Sequence, residues 1–327
     1  MKKLFYILIA AALLLPLLVQ AEEGDGGYAG AFLQVPIGAR PTGMGGAYLS
    51  ISNDGAGMFF NPAGLSSLQN KVFASSYRAM TLDRTLSYTG ILLPTQGQSA
   101  LGFGWLFAGS GSVEGRDTDA ELTGTDFSQN NHKFTILFTK RFEKLFSLGF
   151  VGSYMHSSFA EMSSYSVSFD LGALFYLSQL FNRERRDMMS IQDIQAGIVL
   201  RNLGANYRWN NEEYYSTVTS NSIGSVQEDK IPFEVGIGLS ARFFDRKLLL
   251  AQDFTKNSKQ GIVLHSGAEY FVTEELGIRS GYTDRSFTAG FGYVFALSKY
   301  NLAIDYAFST QKVDEGSEHI FSFDFLF

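Results

Sequence analysis

The chain ends in EHIFSFDFLF, where Phe321, Phe323, Phe325 and Phe327 alternate with Ile320, Ser322, Asp324 and Leu326. A repeat of two residues places the phenylalanines on one face of a strand and the smaller or polar groups on the other. The pattern recurs: Leu101, Phe103, Trp105 and Phe107 oppose Ala100, Gly102, Gly104 and Leu106, and Tyr165, Val167, Phe169 and Leu171 oppose Ser164, Ser166, Ser168 and Asp170. Fourteen strands are expected, near residues 71–79, 85–93, 99–108, 131–142, 146–157, 163–176, 191–201, 230–243, 246–254, 261–271, 275–283, 286–297, 300–309 and 318–327. Most are longer than the roughly five or six residues usual in a soluble sandwich and long enough to cross a bilayer at a tilt.

One apolar run could compete with this reading. Leu4 to Val19 follows the basic start Met1-Lys2-Lys3 and leads to Val19-Gln20-Ala21, the layout of a secretory signal at residues 1–21 cleaved after Ala21. Beyond it no stretch reaches the length of a membrane helix, so a chain that enters a membrane must do so as a closed barrel. The expected fold is an all-β, 14-stranded antiparallel transmembrane barrel over residues 71–327. With a periplasmic N-terminus, the two longest connections, near residues 109–130 and 202–229, fall on the outer side, as in bacterial outer-membrane barrels. The connection at residues 178–190, with Arg183, Arg185 and Arg186, is long for a periplasmic turn and reads as a protrusion. The terminal Phe327 resembles the signature by which outer-membrane barrels are recognised for insertion.

Composition agrees. An aromatic fraction of 15% with 18% charged residues excludes disorder. Mean hydropathy near zero (+0.01) fits apolar residues turned toward lipid and polar residues turned toward a lumen. The absence of cysteine removes disulfides, thiolate metal sites and thiol nucleophiles, and a formal charge of −6 argues against nucleic-acid partners. His132, His156, His265 and His319 lie on separate strands without metal-ligand spacing, and His265 and Ser266 face opposite sides of one strand. No catalytic residue, metal or cofactor is expected.

Residues 22–70 do not alternate and are dense in glycine, which suits backbone that bends tightly or approaches another surface. Because the segment also carries Met44, Phe59, Phe60 and Leu65, it reads as a plug (hatch) filling the lumen, with these four as apolar contacts for a ligand. Asp170, Glu234, Asp253, Glu269, Asp305 and Asp324 fall mid-strand on the small-residue face and point into the lumen, where charge needs water or a partner. Arg40, with a planar fork suited to carboxylates, is the expected counter-ion that pins the plug to the wall. Asn61-Pro62 is expected to fix the exit into the first strand.

The plug also carries a resemblance. Phe32-Leu33-Gln34-Val35-Pro36-Ile37-Gly38-Ala39-Arg40, then Gly43-Met44-Gly45-Gly46-Ala47, then Asn53-Asp54 and Asn61-Pro62-Ala63-Gly64-Leu65 resemble the N-terminal signature of the PorV/PorQ group, which is related to the FadL outer-membrane transporters. The resemblance implies a Gram-negative (diderm) outer-membrane barrel with an N-terminal hatch. FadL-like members carry long-chain fatty acids and other hydrophobic small molecules. PorV-like members serve the type IX secretion system by receiving exported proteins. The leading expectation is therefore binding or passage of a hydrophobic small molecule, with outer-membrane lipid as the surroundings. The alternative partners are secreted proteins or secretion components.

Overall fold

Fourteen antiparallel strands close on themselves, with the aromatic face of each alternating segment outward and the small-residue face inward. The computed structural model describes residues 28–116, 119, 121–160, 162–180, 191–210, 226–283, 286–310 and 316–327. The expected signal at residues 1–21 and the arginines Arg183, Arg185 and Arg186 lie outside the described residues. The first half of the chain gives β1 (Val72–Ala79), β2 (Thr85–Thr95), β3 (Ser99–Gly109), β4 (Val113–Arg116), β5 (Leu122–Phe127), β6 (Gln129–Phe142), β7 (Phe146–Phe159), β8 (Met162–Tyr176) and β9 (Ile191–Leu203). The second half gives β10 (Asn206–Asn210), β11 (Val226–Lys230), β12 (Glu234–Phe243), β13 (Leu248–Asn257), β14 (Ile262–Phe271), β15 (Leu276–Thr283), β16 (Ser286–Leu297), β17 (Tyr300–Thr310) and β18 (Ser317–Leu326). All but β4, β5, β10 and β11 belong to the barrel, which closes where Val72 of β1 pairs with Leu326 of β18 and Ala79 with His319.

The fourteen barrel strands are those expected. The largest boundary shift is at β12, which starts at Glu234 and not at residue 230. Lys230 pairs with Asn206 in the β10–β11 hairpin, and Pro232 has no N–H to offer a ladder. The two hairpins, β4–β5 and β10–β11, were not expected. Both fall within the long connections expected on the outer side.

Side-chain burial follows the phase of the strands. On β18, Phe321 and Phe323 are 55% and 40% exposed, whereas Ser322 between them is 8%. A band of exposed Phe, Trp, Leu and Ile around a closed barrel would be untenable in water and is stabilising against hydrocarbon. Histidines and aromatics stack near the outer ends of the strands: Trp105 donates to His132 Nδ1 at 3.2 Å, and His132 stacks on His156. Such an interfacial girdle, with the even strand number and outer hairpins, is the architecture of Gram-negative outer-membrane barrels.

Residues 28–70 run inside this ring. A short 3-10 turn (Ala31–Gln34), the five-residue helix α1 (Ala39–Gly43) and two further 3-10 turns (Gly55–Phe59 and Pro62–Ser67) carry the segment. Its bonds reach strands around the circumference. Ala39 N–H donates to Ser322 Oγ on β18 (2.7 Å), Tyr48 N–H to Asp253 on β13 (2.6 Å), Asn61 Nδ2 to the Ala173 carbonyl on β8 (3.0 Å), and Ser66 and Ser147 hydroxyls meet on β7 (2.7 Å). Met44, Tyr48, Leu49, Met58 and Leu65 join strand residues such as Leu92, Leu106 and Leu137 in the largest apolar core.

Candidate functional site

Two features define the interior: the charged seat of the N-terminal segment and a cavity above it. The seat centres on Arg40. Gly38, at φ 89°, begins α1 in a left-handed conformation that an L side chain rarely adopts, and directs Arg40 at the wall. Arg40 Nε and Nη2 donate to the two oxygens of Glu269 on β14 at 3.0 and 2.8 Å, and Nη1 donates to Tyr48 Oη and Asn53 Oδ1, each at 2.8 Å, and to Asp54 at 3.2 Å. Glu269 also accepts from Arg279 Nε (2.6 Å), and Arg279 Nη1 donates to Asp305 (2.5 Å). Charge therefore alternates from Asp54 through Arg40, Glu269 and Arg279 to Asp305. Burial opposes the Arg40 charge more than any single neighbour favours it, but Glu269, Tyr48 and Asp54 together outweigh burial and hold the guanidinium proton above the ordinary arginine range. Burial likewise raises the Tyr48 hydroxyl well above its usual value against the pull of Arg40. Tyr48 stays protonated and donates to Asp54.

The other inward carboxylates divide by task. Asp253 Oδ2 accepts the N–H groups of Tyr48 and Leu49 (2.6 and 2.7 Å), and Asp324 accepts that of Gly55 (2.9 Å). Asp170 accepts from Lys133 Nζ (3.3 Å) and from Asn202 N–H (2.7 Å), whereas Glu234 pairs with Arg201. Arg201 and Asn202 sit at a bulge opposite Asp170, and Arg201 meets Glu234 and the Phe59 carbonyl (3.1 Å). Sequence reasoning missed Lys133 on β6 and Arg78 on β1. Arg78 is 6% exposed, pairs with Glu318 and donates to the Pro36 carbonyl at 2.9 Å. Their signal was strand phase: Arg78 continues the small face of Ala74 and Ser76, and Lys133 that of Thr135 and Leu137.

The glycine motifs bend and fit. Gly45 and Gly46 have φ of 63° and 80° and turn the chain after Met44, leaving Ala47 fully buried, while Gly43 packs against Arg279 and Gly290. Asn61 caps the turn at Pro62–Ser67: its Oδ1 accepts Ala63 N–H (3.1 Å), and its Nδ2 donates to Leu49 and Ala173 carbonyls (2.7 and 3.0 Å). Pro62 occupies the first position of that turn, where no N–H is needed, and Gly64 lies against the Ser52 carbonyl. Asn61→Ala removes a cap and leaves two buried carbonyls short of a donor, a loss of about 2–4 kcal/mol for the segment. Hydrogen exchange over residues 49–63 is expected to accelerate accordingly. Asn61→Asp keeps the cap acceptor but sets a carboxylate oxygen against the same two carbonyls in a fully buried position, and should lose at least as much as Asn61→Ala.

Above the seat lies a cavity of about 410 Å³, bounded below by the segment and laterally by the strand ends on the side of the two hairpins. Leu33, Val35, Ile37, Leu49, Phe59 and Phe60 supply its apolar floor. Of the four expected ligand contacts, Phe59 and Phe60 line it. Met44 and Leu65 do not: the Met44 side chain abuts Gly267 of β14, and that of Leu65 packs against Gly57 within the segment. The β10–β11 hairpin docks on β8. Asn206 and Arg208 N–H groups donate to the inward Ser166 and Ser164 of β8 (2.9 and 2.8 Å), burying Tyr207 against Met155, Ile231 and Leu33.

No family model and no curated protein matches the sequence. Solved structures do. The Pseudomonas putida toluene transporter TodX aligns over 94% of this chain and 98% of its own at 13% identity, with a TM-score of 0.58. A Pseudomonas aeruginosa FadL homologue aligns over 89% and 98% at 14% identity and a TM-score of 0.60. The fold is that of the FadL-type barrels. A third such barrel, the monoaromatic hydrocarbon channel CymD, aligns over 92% of this chain and 98% of its own at 14% identity and a TM-score of 0.57. No group of three or more metal-ligating side chains occurs among the described residues. The His265 ring bonds Gly45 and Thr283, whereas Ser266 donates to Gln252, so no nucleophile and base meet there.

Proposed function

We propose that the protein binds hydrophobic small molecules from the outer side of the outer membrane and passes them inward, with residues 22–70 as a hatch held by the Arg40 seat. The cavity carries this reading: it lies toward the outer mouth, its floor is apolar, and that floor belongs to the segment that would have to move. The shared fold with barrels described as a toluene transporter and a monoaromatic hydrocarbon channel supports it. Uptake of a radiolabelled aromatic hydrocarbon by cells lacking their own hydrocarbon channels is the direct test. Expression should raise uptake, and Val263→Trp, which fills the cavity from the β14 wall, should return it to background.

The PorV-type reading, reception of exported proteins, draws on the Gly43–Ala47 and Asn61–Leu65 motifs and on the two hairpins in the outer connections. It predicts a different phenotype: deletion would deplete several secreted proteins and leave hydrocarbon uptake unchanged.

A further inference from the structure

The two phenylalanines of the cavity floor lean in different directions. Phe59 meets Tyr88 of β2 edge-on, with ring centroids 5.4 Å apart, and so rests on the wall. Phe60 meets Tyr48 of the segment in the same way at 5.3 Å. Tyr48 is fully buried, and its hydroxyl stands between Arg40 and Asp54, accepting from Nη1 of the one and donating to the other. The residue that backs the floor is therefore also a member of the seat.

Leu49 makes the same join through the backbone. Its side chain lines the cavity, while Asp253 Oδ2 accepts its N–H and that of Tyr48, and Asn61 Nδ2 donates to its carbonyl. It fits against β12 because glycine stands there: a Cβ on Gly236 would lie 2.5 Å from Leu49 Cδ1, and one on Gly238 2.9 Å from Leu49 Cβ. Lifting the segment off the wall takes Leu49 and Phe60 out of the floor together. Arg40, Asn53 and Asp54 do not line the cavity, so an occupant reaches the seat only through the floor residues and Tyr48.

We propose that Tyr48 couples the cavity to the seat so that the loaded state is the closed one. This deepens, and rests on, the proposed binding of apolar molecules in the same cavity. An occupant touches Leu49 and Phe60 in this arrangement only while the segment is seated, so it binds that state better and shifts the equilibrium toward it. By linkage the seat favours the occupant by the same factor. A filled cavity keeps the Phe60 ring on Tyr48, which keeps the phenol between Arg40 and Asp54. Loading then steadies the hatch, and release inward requires the Arg40 seat to be broken separately.

Hydrogen exchange of the full barrel in nanodiscs, with and without saturating toluene, measures the coupling. In the wild type, toluene is expected to slow exchange about tenfold across the seat, residues 40–43 and 53–55, as well as at Leu49 and Phe60 of the floor. Val263→Trp, which fills the cavity, should show no response. Tyr48→Phe keeps a ring on Phe60 and loses both hydroxyl bonds, so toluene should still slow the floor but no longer the seat. Faster exchange at the seat means that the occupant wedges the segment open; it overturns the coupling and leaves binding in the cavity standing. A floor that slows without the seat, or a seat that still slows fully in Tyr48→Phe, overturns it too. So does a response that survives Val263→Trp, because toluene would then act from the lipid. If toluene slows neither floor nor seat in the wild type, the cavity reading fails and the coupling falls with it.

Discussion

Arg40→Ala is expected to convert a quiet barrel into a conducting one. The guanidinium joins Asp54, Asn53 and Tyr48 of the segment to Glu269 of the wall, with side chains only 14% and 0% exposed at the central pair. Removing one partner of a buried ion pair costs about 3–5 kcal/mol. Arg279 remains on Glu269, so the lower end applies, and about 3 kcal/mol corresponds to roughly a hundredfold shift toward an unseated segment. Single-channel recording of the reconstituted protein should show long open events absent from the wild type, together with faster detergent-induced release of the segment. Barrel unfolding should move little, because the closed strand ladder does not pass through Arg40. Arg40→Lys keeps a charge but not the two-pronged contact and should open part of the time. In Arg40→Leu/Glu269→Leu the buried charge is gone from both sides, Arg279 keeps Asp305, and the quiet state should return. Unchanged conductance and detergent sensitivity in Arg40→Ala would remove the pin from the proposed mechanism.

The strands were legible because phase along a strand is a local property: Phe321, Phe323 and Phe325 must share a face whatever surrounds them. Height inside the lumen is not local. Nothing in the sequence distinguishes Glu269 from Asp253 or Asp324 as the partner of Arg40, since the choice depends on how far α1 descends and how the segment is rotated. The same limit explains Met44 and Leu65. An apolar side chain on a buried segment can face a cavity or a wall with the same hydropathy, and here Gly267 makes room for Met44 against the wall. The β10–β11 hairpin escaped for another reason: its strands are five residues long, and its bonds to Ser164 and Ser166 and the burial of Tyr207 come from docking on β8, not from a repeat of its own.

The inward glycines yield the sharpest test of the hatch. In sequence they belong to the small face of each strand, a pattern that a wet lumen would tolerate but not require. In the structure they are where the backbone of the segment touches the wall. A Cβ on Gly149 of β7 would lie 2.5 Å from Ala63 N and from the Pro62 carbonyl carbon, and one on Gly281 of β15 would collide with the backbone of Met44 and Gly45. Backbone cannot swing aside as a side chain can, so valine at either position excludes the seated segment. The strand itself tolerates the change, since valine suits a strand better than glycine by up to about 1 kcal/mol. Gly149→Val and Gly281→Val should therefore give folded, heat-modifiable barrels whose residues 28–68 are cleaved by added protease and whose conductance exceeds that of Arg40→Ala. Gly152 supplies the control on the same strand. It faces outward, where a Cβ would meet Phe150 and Phe169 at ordinary contact distances of 3.8–4.0 Å, and Gly152→Val should leave protection and conductance at wild-type values. If Gly149→Val stays closed and protected as well, contact between segment and wall is not what keeps the lumen shut.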